Sequence, residues 1–578
     1  MATSSTLGQT QRYAAGALLA LALRQAQTHQ TVLLGSHGLD DEPHPDAATA
    51  VEPDARDLWT HESRGLLRPV LRFLEIDPKA WVGVEKTAAS SDPKHHIGAF
   101  LRKVIEDEDD DDKARSERSD QELALAKAVD AMAMGLECGV VGCAAEALKP
   151  AESRHGSNSD DPALAAASTT RTKDSRKMAV LYMLLSACVA DVNMAEEGMG
   201  SPRVTKGYDA RHRVALRLLA TWLDVTWNKM EAVEIMVACS AMAAAKEEEQ
   251  SRESSSPNSR WENWKRGGII GAAALTGGTL MAISGGLAAP AIAAGFTALV
   301  PTLHTLLPII GASAAGAGLT GTKMATRIGN VKEFEFKTIG QNHNQGRLAV
   351  GIFISGFAFS EDDYSKPWEG WKTNLERYIL QWESKHVIGV STAIQDWLAS
   401  RLAIELMREG AMQTVLSGII SAFAWPATLV SAADFIDSKW SVAIDRSDKA
   451  GKMLAEVLLN GLQGSRFFCL QLGIVERAVL IGAPVSVQGE MWEPARKMVA
   501  GRFVNVYSTN DWILGITFRA SLFTQGLAGI QDVHVPGVEN VDVTELVVGH
   551  SSYLSLLEKI LDHLELNTYY PVFHPCTE

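Results

Sequence analysis

The pattern of apolar and polar positions divides the chain into a helical first half and a strand-bearing last third. Along residues 211–231, Val214, Leu218, Trp222 and Val225 recur at helical spacing, with Arg213, Arg217 and Asp224 among them. Residues 122–149 are dominated by Ala, Leu and Met, and 178–193, MAVLYMLLSACVADVN, are apolar nearly all round. These stripes predict a helical domain closed by its own core; a partner-binding groove is the alternative, which the pattern does not select. From residue 333 the period shortens. EFEFKTIG and RLAVGIFISGF, joined by QNHNQG, predict a β-hairpin or two adjacent strands. LAVGIFISG is continuously apolar, as a central strand covered on both faces should be. ERAVLIGAP (476–484), RFVNVYS (502–508) and AGIQDV (528–533) predict further strands. The fold class expected is α/β, a mostly parallel sheet covered by helices.

Three polar runs punctuate the first half: 106–122 (EDEDDDDKARSERSDQE), 151–176 and 246–264. Each is rich in Ser, Asp or Glu without apolar periodicity, and is expected to be a solvated linker. The acidic run lacks the spaced ligands and turn glycine of a calcium loop. Near the N-terminus, Ala14–Leu23 is apolar, but only Arg12 precedes it and Arg24 and Gln25 follow directly. An Ala-rich helix fits this better than an export signal.

Between Arg266 and Lys323 lie 56 positions without Asp, Glu, Lys or Arg. A membrane span takes about 20 apolar residues, so two spans with a turn near Pro290 or Pro301 would fit. Glycine pairs such as Gly267 and Gly271 suit close helix contact in lipid. Arg260, Lys265 and Arg266 before the run, and Lys323 and Arg327 after it, put both flanks on the cytoplasmic side of an intracellular membrane. The bland reading is a buried Gly/Ala-rich hairpin; its weakness is the length of the run. Residues 411–433 are also uncharged, with Trp425-Pro426 expected to kink them into a lid, a dipping helix pair or a span. The expected organisation is a helical, partly disordered region (1–105), a helical domain with acidic and Ser-rich linkers (106–262), a membrane hairpin (267–322), and an α/β domain (333–570) with an apolar helical insert (411–433).

A formal charge of −15 argues against nucleic-acid binding. Six scattered cysteines suit a reducing compartment, and Cys138 and Cys143 have no second pair nearby to hold zinc. Gly316, Gly318 and Gly321 match a dinucleotide fingerprint but end a Gly/Ala run instead of joining a strand to a helix, so neither cofactor nor metal is expected.

In parallel sheets, functional groups collect beyond the carboxyl ends of strands. Three such places stand out. Ser355, Gly356 and Phe357 close GIFISGF, where backbone N–H groups suit an oxyanion. Asp511 follows RFVNVYS, and His550 lies in VVGHSSY. A carboxylate followed by a histidine is the order of the α/β-hydrolase triad, the first orienting the second. Asp511 also suits the N-cap of a helix starting at Trp512, and His550 a helix start.

The segments GIVERAVLIGAPV, VAGRFVNVYSTNDWILGITFRAS, GVENVDVTELVVGHSSY, ISGFAFSEDDYSKPW and ILQWES resemble the transmembrane and coiled-coil domain protein family of unknown function, over roughly residues 170–570. The resemblance implies a plant-type member, an α/β-hydrolase-like domain with membrane segments, and Asp511 and His550 as triad positions. Family members carry an elbow of the form GFSLGAR shortly before the GIVE strand. Here GLQGSR runs into FFCLQLGIVERAVL, and no G-x-S-x-G occurs in the 578 residues. Ser465 lacks the second glycine, and Cys469 reads as a packing residue. The expectation is a serine-hydrolase scaffold for an ester, plausibly of a lipid, inactive for want of its nucleophile. The rival is a non-catalytic membrane protein using the fold for interaction, for instance with trafficking proteins.

Overall fold

The structure, a computed structural model, describes residues 7–31, 65–89, 93–106, 112–138, 162–189, 208–238, 331–340, 347–371, 373–398, 427–460, 475–517, 526–547 and 549–566. The expected membrane hairpin, the Gly316–Gly321 match, Ser465, Cys469 and most of the insert at 411–433 lie outside the described residues.

The first part is helical: α1 (Gln9–Thr31), α2 (Arg68–Phe73), α3 (Pro78–Ala88), α4 (Pro93–Ile105), α5 (Asp112–Cys138), α6 (Pro162–Val189) and α7 (Ala210–Trp222), with a further helical run over 227–238. The Ala-rich stretch of α1 forms the hub. Leu18, Leu19, Ala20 and Ala22 are fully buried, and a Cβ on Gly16 would come within 2.8 Å of Leu71 and Ile76. Each leucine buried here contributes about 1.5–3 kcal/mol relative to exposure. Starts are marked by residue type: Asp77 accepts from the N–H of Lys79 at 2.9 Å ahead of Pro78, and Asp209 from that of Arg211 at 2.8 Å. Two of the expected linkers are partly helical. α6 begins at Pro162, followed by strong helix formers in ALAAA, and α5 reaches back to Asp112 through Lys, Arg and Glu, which lose little freedom in a helix.

The second part holds two three-stranded sheets. In the first, β1 (Phe334–Ile339) runs antiparallel to β3 (Glu376–Trp382), and β2 (Val350–Ile354) runs parallel to β3 on its other side. The expected hairpin, or pair of adjacent strands, is therefore replaced by a sheet with β3 between β1 and β2. ERYILQW was not legible as a strand because its ends are polar. Yet all seven positions are buried, with Tyr378 donating to Glu376 and Gln381 donating to Glu333 at 2.6 Å. The second sheet, β4 (Ala478–Ile481), β5 (Phe503–Tyr507) and β6 (Val538–Asp542), is wholly parallel in the order β4-β5-β6.

AGIQDV is not a strand. It folds as turns fastened to the sheet by side chains: Asn505 donates to Gln531 O at 3.1 Å, and Asn540 exchanges two bonds with the backbone of Val533 at 2.9 Å. β6 takes the place expected for it. The covering helices are α8 (Lys366–Glu369), α9 (Ser384–Leu398), α10 (Ala427–Asn460), α11 (Trp492–Met498), α12 (Trp512–Thr517) and α13 (Ser552–His563).

The two parts share a core and an ion-pair cluster. Leu348, just before β2, belongs to the helical core. Arg213 of α7 grips Glu234 with two hydrogen bonds, 2.9 and 3.0 Å, and also bonds Glu476, just before β4. The stripe read at 211–231 thus carries buried arginines, which stay charged because carboxylates face them. The cluster lies at the amino ends of the strands and leaves their carboxyl ends to the candidate site.

Candidate functional site

The carboxyl ends of β5 and β6 are tied into one unit. After β5, the buried Ser508 donates from Oγ to Val547 O at 3.2 Å, Thr509 N–H donates to Thr544 Oγ1 at 3.0 Å, and Asn510 Nδ2 donates to Thr544 O at 3.2 Å. The loop after β6 is thereby held against the loop after β5, and Asp511 and His550 meet where they join.

Asp511 is fully buried and uses both carboxylate oxygens. Oδ1 accepts the N–H of Leu514 at 3.1 Å, which caps α12. Oδ2 accepts Nδ1–H of His550 at 2.6 Å. In the neutral ring this leaves Nε2 as the basic nitrogen. The imidazole, 15% exposed, stands edge-on to Phe357 at 4.8 Å between ring centroids and near Tyr553 at 5.5 Å. Burial disfavours the imidazolium, but the charge and hydrogen bond of Asp511 outweigh it, and the His550 pKa is raised above its ordinary value.

Phe357 belongs to the loop expected to hold the oxyanion site, so that loop adjoins His550. Ser355 is buried, its Oγ accepting from Trp368 Nε1 at 3.0 Å and its carbonyl from Trp382 Nε1 at 3.2 Å. The next N–H groups, of Ala358 and Phe359, are bonded to Ser391 Oγ at 3.1 Å and Asp363 Oδ2 at 2.8 Å. Those of Gly356 and Phe357 have no acceptor among the described residues. A Cβ on Gly356 would meet nothing within 4 Å, so the backbone there is open to approach. The Ser355 side chain, by contrast, is engaged in holding Trp368.

Sequence reasoning missed Tyr553, which packs on the imidazole and whose ring lies 2.7 Å from where a Cβ on Gly482 would be. Its hydroxyl is buried without a partner among the described residues, and burial first, then Asp511 and Asp542, raise its pKa. The legible signal was its position three residues after His550. No cluster of His, Cys, Asp and Glu suited to a metal occurs among the described residues.

A parallel sheet beside a helical part, with a carboxylate–histidine pair in the loops after neighbouring strands, defines a mixed helical and α/β protein. The chain belongs to the family described as protein of unknown function DUF726, which matches residues 262–471 and 470–567. It is 64% identical over 650 aligned positions to the transmembrane and coiled-coil domain-containing protein STS1 of Oryza sativa subsp. japonica, covering 99% of this chain and 98% of the rice protein. An uncharacterized membrane protein of Caenorhabditis elegans is 31% identical over 399 positions, 61% of this chain and 63% of its own length. Probable lipase MIL1 of Saccharomyces cerevisiae is 31% identical over 296 positions, 45% of this chain and 26% of its own length. No solved structure matches the chain. Its relatives are named as membrane proteins, whereas among the described residues no helix is long and apolar enough to cross a membrane.

Proposed function

We propose that the chain is a membrane-associated protein of α/β-hydrolase-like fold whose family chemistry is serine ester hydrolysis, plausibly of a lipid ester, and that this chain lacks the nucleophile and does not turn over. The observation that carries the reading is the 2.6 Å contact from His550 Nδ1 to the fully buried Asp511. It fixes the tautomer in which Nε2 can take a proton from an attacking hydroxyl and return it to the leaving alcohol. The N–H groups of Gly356 and Phe357, on the loop that touches the imidazole, suit the oxyanion formed when that hydroxyl adds to the ester carbonyl. The name of the yeast relative agrees with a lipid ester. The hydroxyl itself has no counterpart, because G-x-S-x-G is absent from the sequence.

A fluorophosphonate probe tests this. The expected result is no labelling of this chain and labelling of the longer rice relative. Labelling of this chain, lost in His550→Ala, would overturn its inactivity. Absence of labelling from both proteins would overturn the chemistry and leave the second reading, a non-catalytic membrane-bound interaction or trafficking protein. One observation favours that second reading: Asp511 has a structural task at α12 whatever His550 does.

For the membrane, the uncharged run at 267–322 is read as a hairpin with both flanks cytoplasmic, and the relatives' names support membrane association. After carbonate extraction the chain should stay with the membranes; release into the supernatant would sink the hairpin.

A further inference from the structure

The ring packed beside His550 carries a hydroxyl that nothing in the fold employs. Tyr553 lies in the first turn of α13, its N–H donating to the His550 carbonyl at 3.2 Å. It is 8% exposed, and its hydroxyl is buried without a hydrogen-bond partner among the described residues. A buried donor left unbonded is costly, whereas phenylalanine would fill the same ring volume without leaving one. The other buried tyrosines among the described residues of the sheet-bearing part follow the usual rule. Tyr364 donates to the Trp382 carbonyl at 3.4 Å, and Tyr378 to Glu376.

The place of the hydroxyl is set by the backbone opposite it. Gly482, directly after β4, has a φ of +56°, a left-handed conformation that favours glycine, and its N–H donates to the Val506 carbonyl at 3.0 Å. A Cβ there would come within 2.7 Å of Tyr553 Cε2 and 3.1 Å of Cζ, the carbon that bears the hydroxyl. The ring therefore brings its hydroxyl to the carboxyl end of β4, with the imidazole of His550 at 5.5 Å between centroids. The carboxylates nearby are committed elsewhere. Asp511 gives Oδ1 to Leu514 and Oδ2 to His550, and Asp542 Oδ1 accepts from the N–H and the hydroxyl of Thr544. Burial first, then the charges of Asp511 and Asp542, raise the Tyr553 pKa, so the group keeps its proton and serves as a donor.

The surroundings narrow what would accept this hydrogen bond. Among the described residues no lysine or arginine pairs with Asp511, Asp542 or His550, so a phosphate would meet two carboxylates without a countercharge. The loops after the strands offer apolar ground instead. Ile354, which closes β2, is 42% exposed, and Val485 after β4 and Leu546 after β6 are exposed too. Phe357 packs against Val390, Ile394 and Ile513 and stands edge-on to His550. An oxygen carried on an apolar chain fits both the donor and this lining.

We propose that Tyr553 is a ligand-binding residue, its hydroxyl donating to the acyl oxygen of a long-chain ester or carboxylic acid bound beside His550 at the carboxyl ends of β4 and β5. That the ligand is an acyl compound rests on the function proposed above. Binding of this kind needs no nucleophile, so it gives the chain a task that it performs without turnover.

The test compares three tritium-labelled ligands bound to the full chain in nonionic detergent. They are 1-oleoylglycerol, its 1-O-oleyl ether, which keeps the chain and the glycerol but lacks the acyl oxygen, and oleic acid. The parent should bind the ester at least about fivefold more tightly than the ether, the usual net contribution of one hydrogen bond. Tyr553→Phe should erase that difference by weakening the ester and leaving the ether unchanged. Without ligand the variant should melt no lower than the parent, because no intramolecular bond is lost. A preference for oleic acid over both others, lost in the same variant, supports the proposal and identifies the free acid as the ligand. Equal affinity for ester, ether and acid would overturn it, as would a preference that survives Tyr553→Phe or no binding of any of the three. A variant that melts lower or fails to fold would also overturn it, since the hydroxyl would then have a structural partner. Fluorophosphonate labelling of the rice relative is read separately. No labelling with the acyl preference intact overturns the hydrolase chemistry alone, and labelling without that preference overturns the donor role alone.

Discussion

Replacing Arg213 by alanine tests whether the helical part and the sheets form one cooperative unit. Arg213 and Glu234 are each 5% exposed at the side chain and bonded in a fork, and the same guanidinium reaches Glu476. Removing one partner of a buried pair costs about 3–5 kcal/mol, because the other charge stays buried. Glu476 keeps Arg477 at 3.7 Å and Arg217 at 3.9 Å. The orphan is therefore chiefly Glu234, and the loss belongs within that range and not beyond it. Each kcal/mol lowers the melting temperature by about 2–4 °C for a unit of 150–250 residues and by less for a larger one, so for the two parts melting together the drop stays under about 20 °C. Thermal unfolding followed by far-ultraviolet circular dichroism and tryptophan fluorescence should show one transition in the parent. The Arg213→Leu/Glu234→Leu pair should recover most of the loss, since apolar replacements of buried pairs are often neutral. A shift under about 1 kcal/mol for Arg213→Ala would refute the reasoning, and so would a double variant no more stable than the single one.

Gly529→Ala should destabilise by about 1–3 kcal/mol in denaturant unfolding, since its Cβ would stand 2.6 Å from the Gly482 carbonyl carbon and 2.8 Å from Ala483 N, backbone atoms that cannot swing away. Gly356→Ala, with open space around the new methyl group, should stay within about 0.5 kcal/mol. His550 has a raised pKa in the folded protein, so its contribution to stability is fully present below its ordinary value of about 6.5 and is lost as pH rises through the folded value. Unfolding midpoints between about pH 5.5 and 8.5 should follow that sign. In Asp511→Asn, where burial alone acts on the ring, the slope attributable to His550 should reverse, and an unchanged slope would detach His550 from Asp511.

How much of this was legible depended on whether a pattern carried its own boundary. β5 reads as a strand because RFVNVY is apolar and stops at Ser508-Thr509. α1 reads as a helix because Ala and Leu run unbroken, and burial makes it the hub. β3 was hidden because Glu376, Arg377 and Gln381 break the apolar run, and their partners are Tyr378 within the strand, the Trp368 carbonyl before it and the distant Glu333. AGIQDV has strand-like composition, but Gly529 and the two asparagines that bind the segment bend it into turns, which no local period reveals. Asp511 and His550 were singled out in the sequence for a different reason. Each lies in the loop that follows a parallel strand, Asp511 after β5 and His550 after β6, and neighbouring parallel strands bring such positions together. The ion-pair cluster was illegible, because arginines at 213 and 217 look like the solvent face of a helix until Glu234 and Glu476 fold onto them.

The contact between Asp511 and His550 has to be weighed against the plainer duty of Asp511. Capping α12 needs a single oxygen, and Oδ1 serves Leu514 alone. A cap would be equally content with Asn or Ser, and neither would hold a histidine in the charge-assisted contact that Oδ2 makes. The second oxygen meets an imidazole whose ring lies near those of Phe357 and Tyr553. Full burial of a carboxylate is costly unless its lone pairs are used, and here each oxygen has a donor, so the pair is stable as built. Stability alone would not require the N–H groups of Gly356 and Phe357 to lack an acceptor among the described residues while their neighbours at 358 and 359 are bonded. Capping accounts for the first oxygen; the second oxygen, the tautomer it favours and the amides of Gly356 and Phe357 are the features on which the proposed acyl-transfer reading draws.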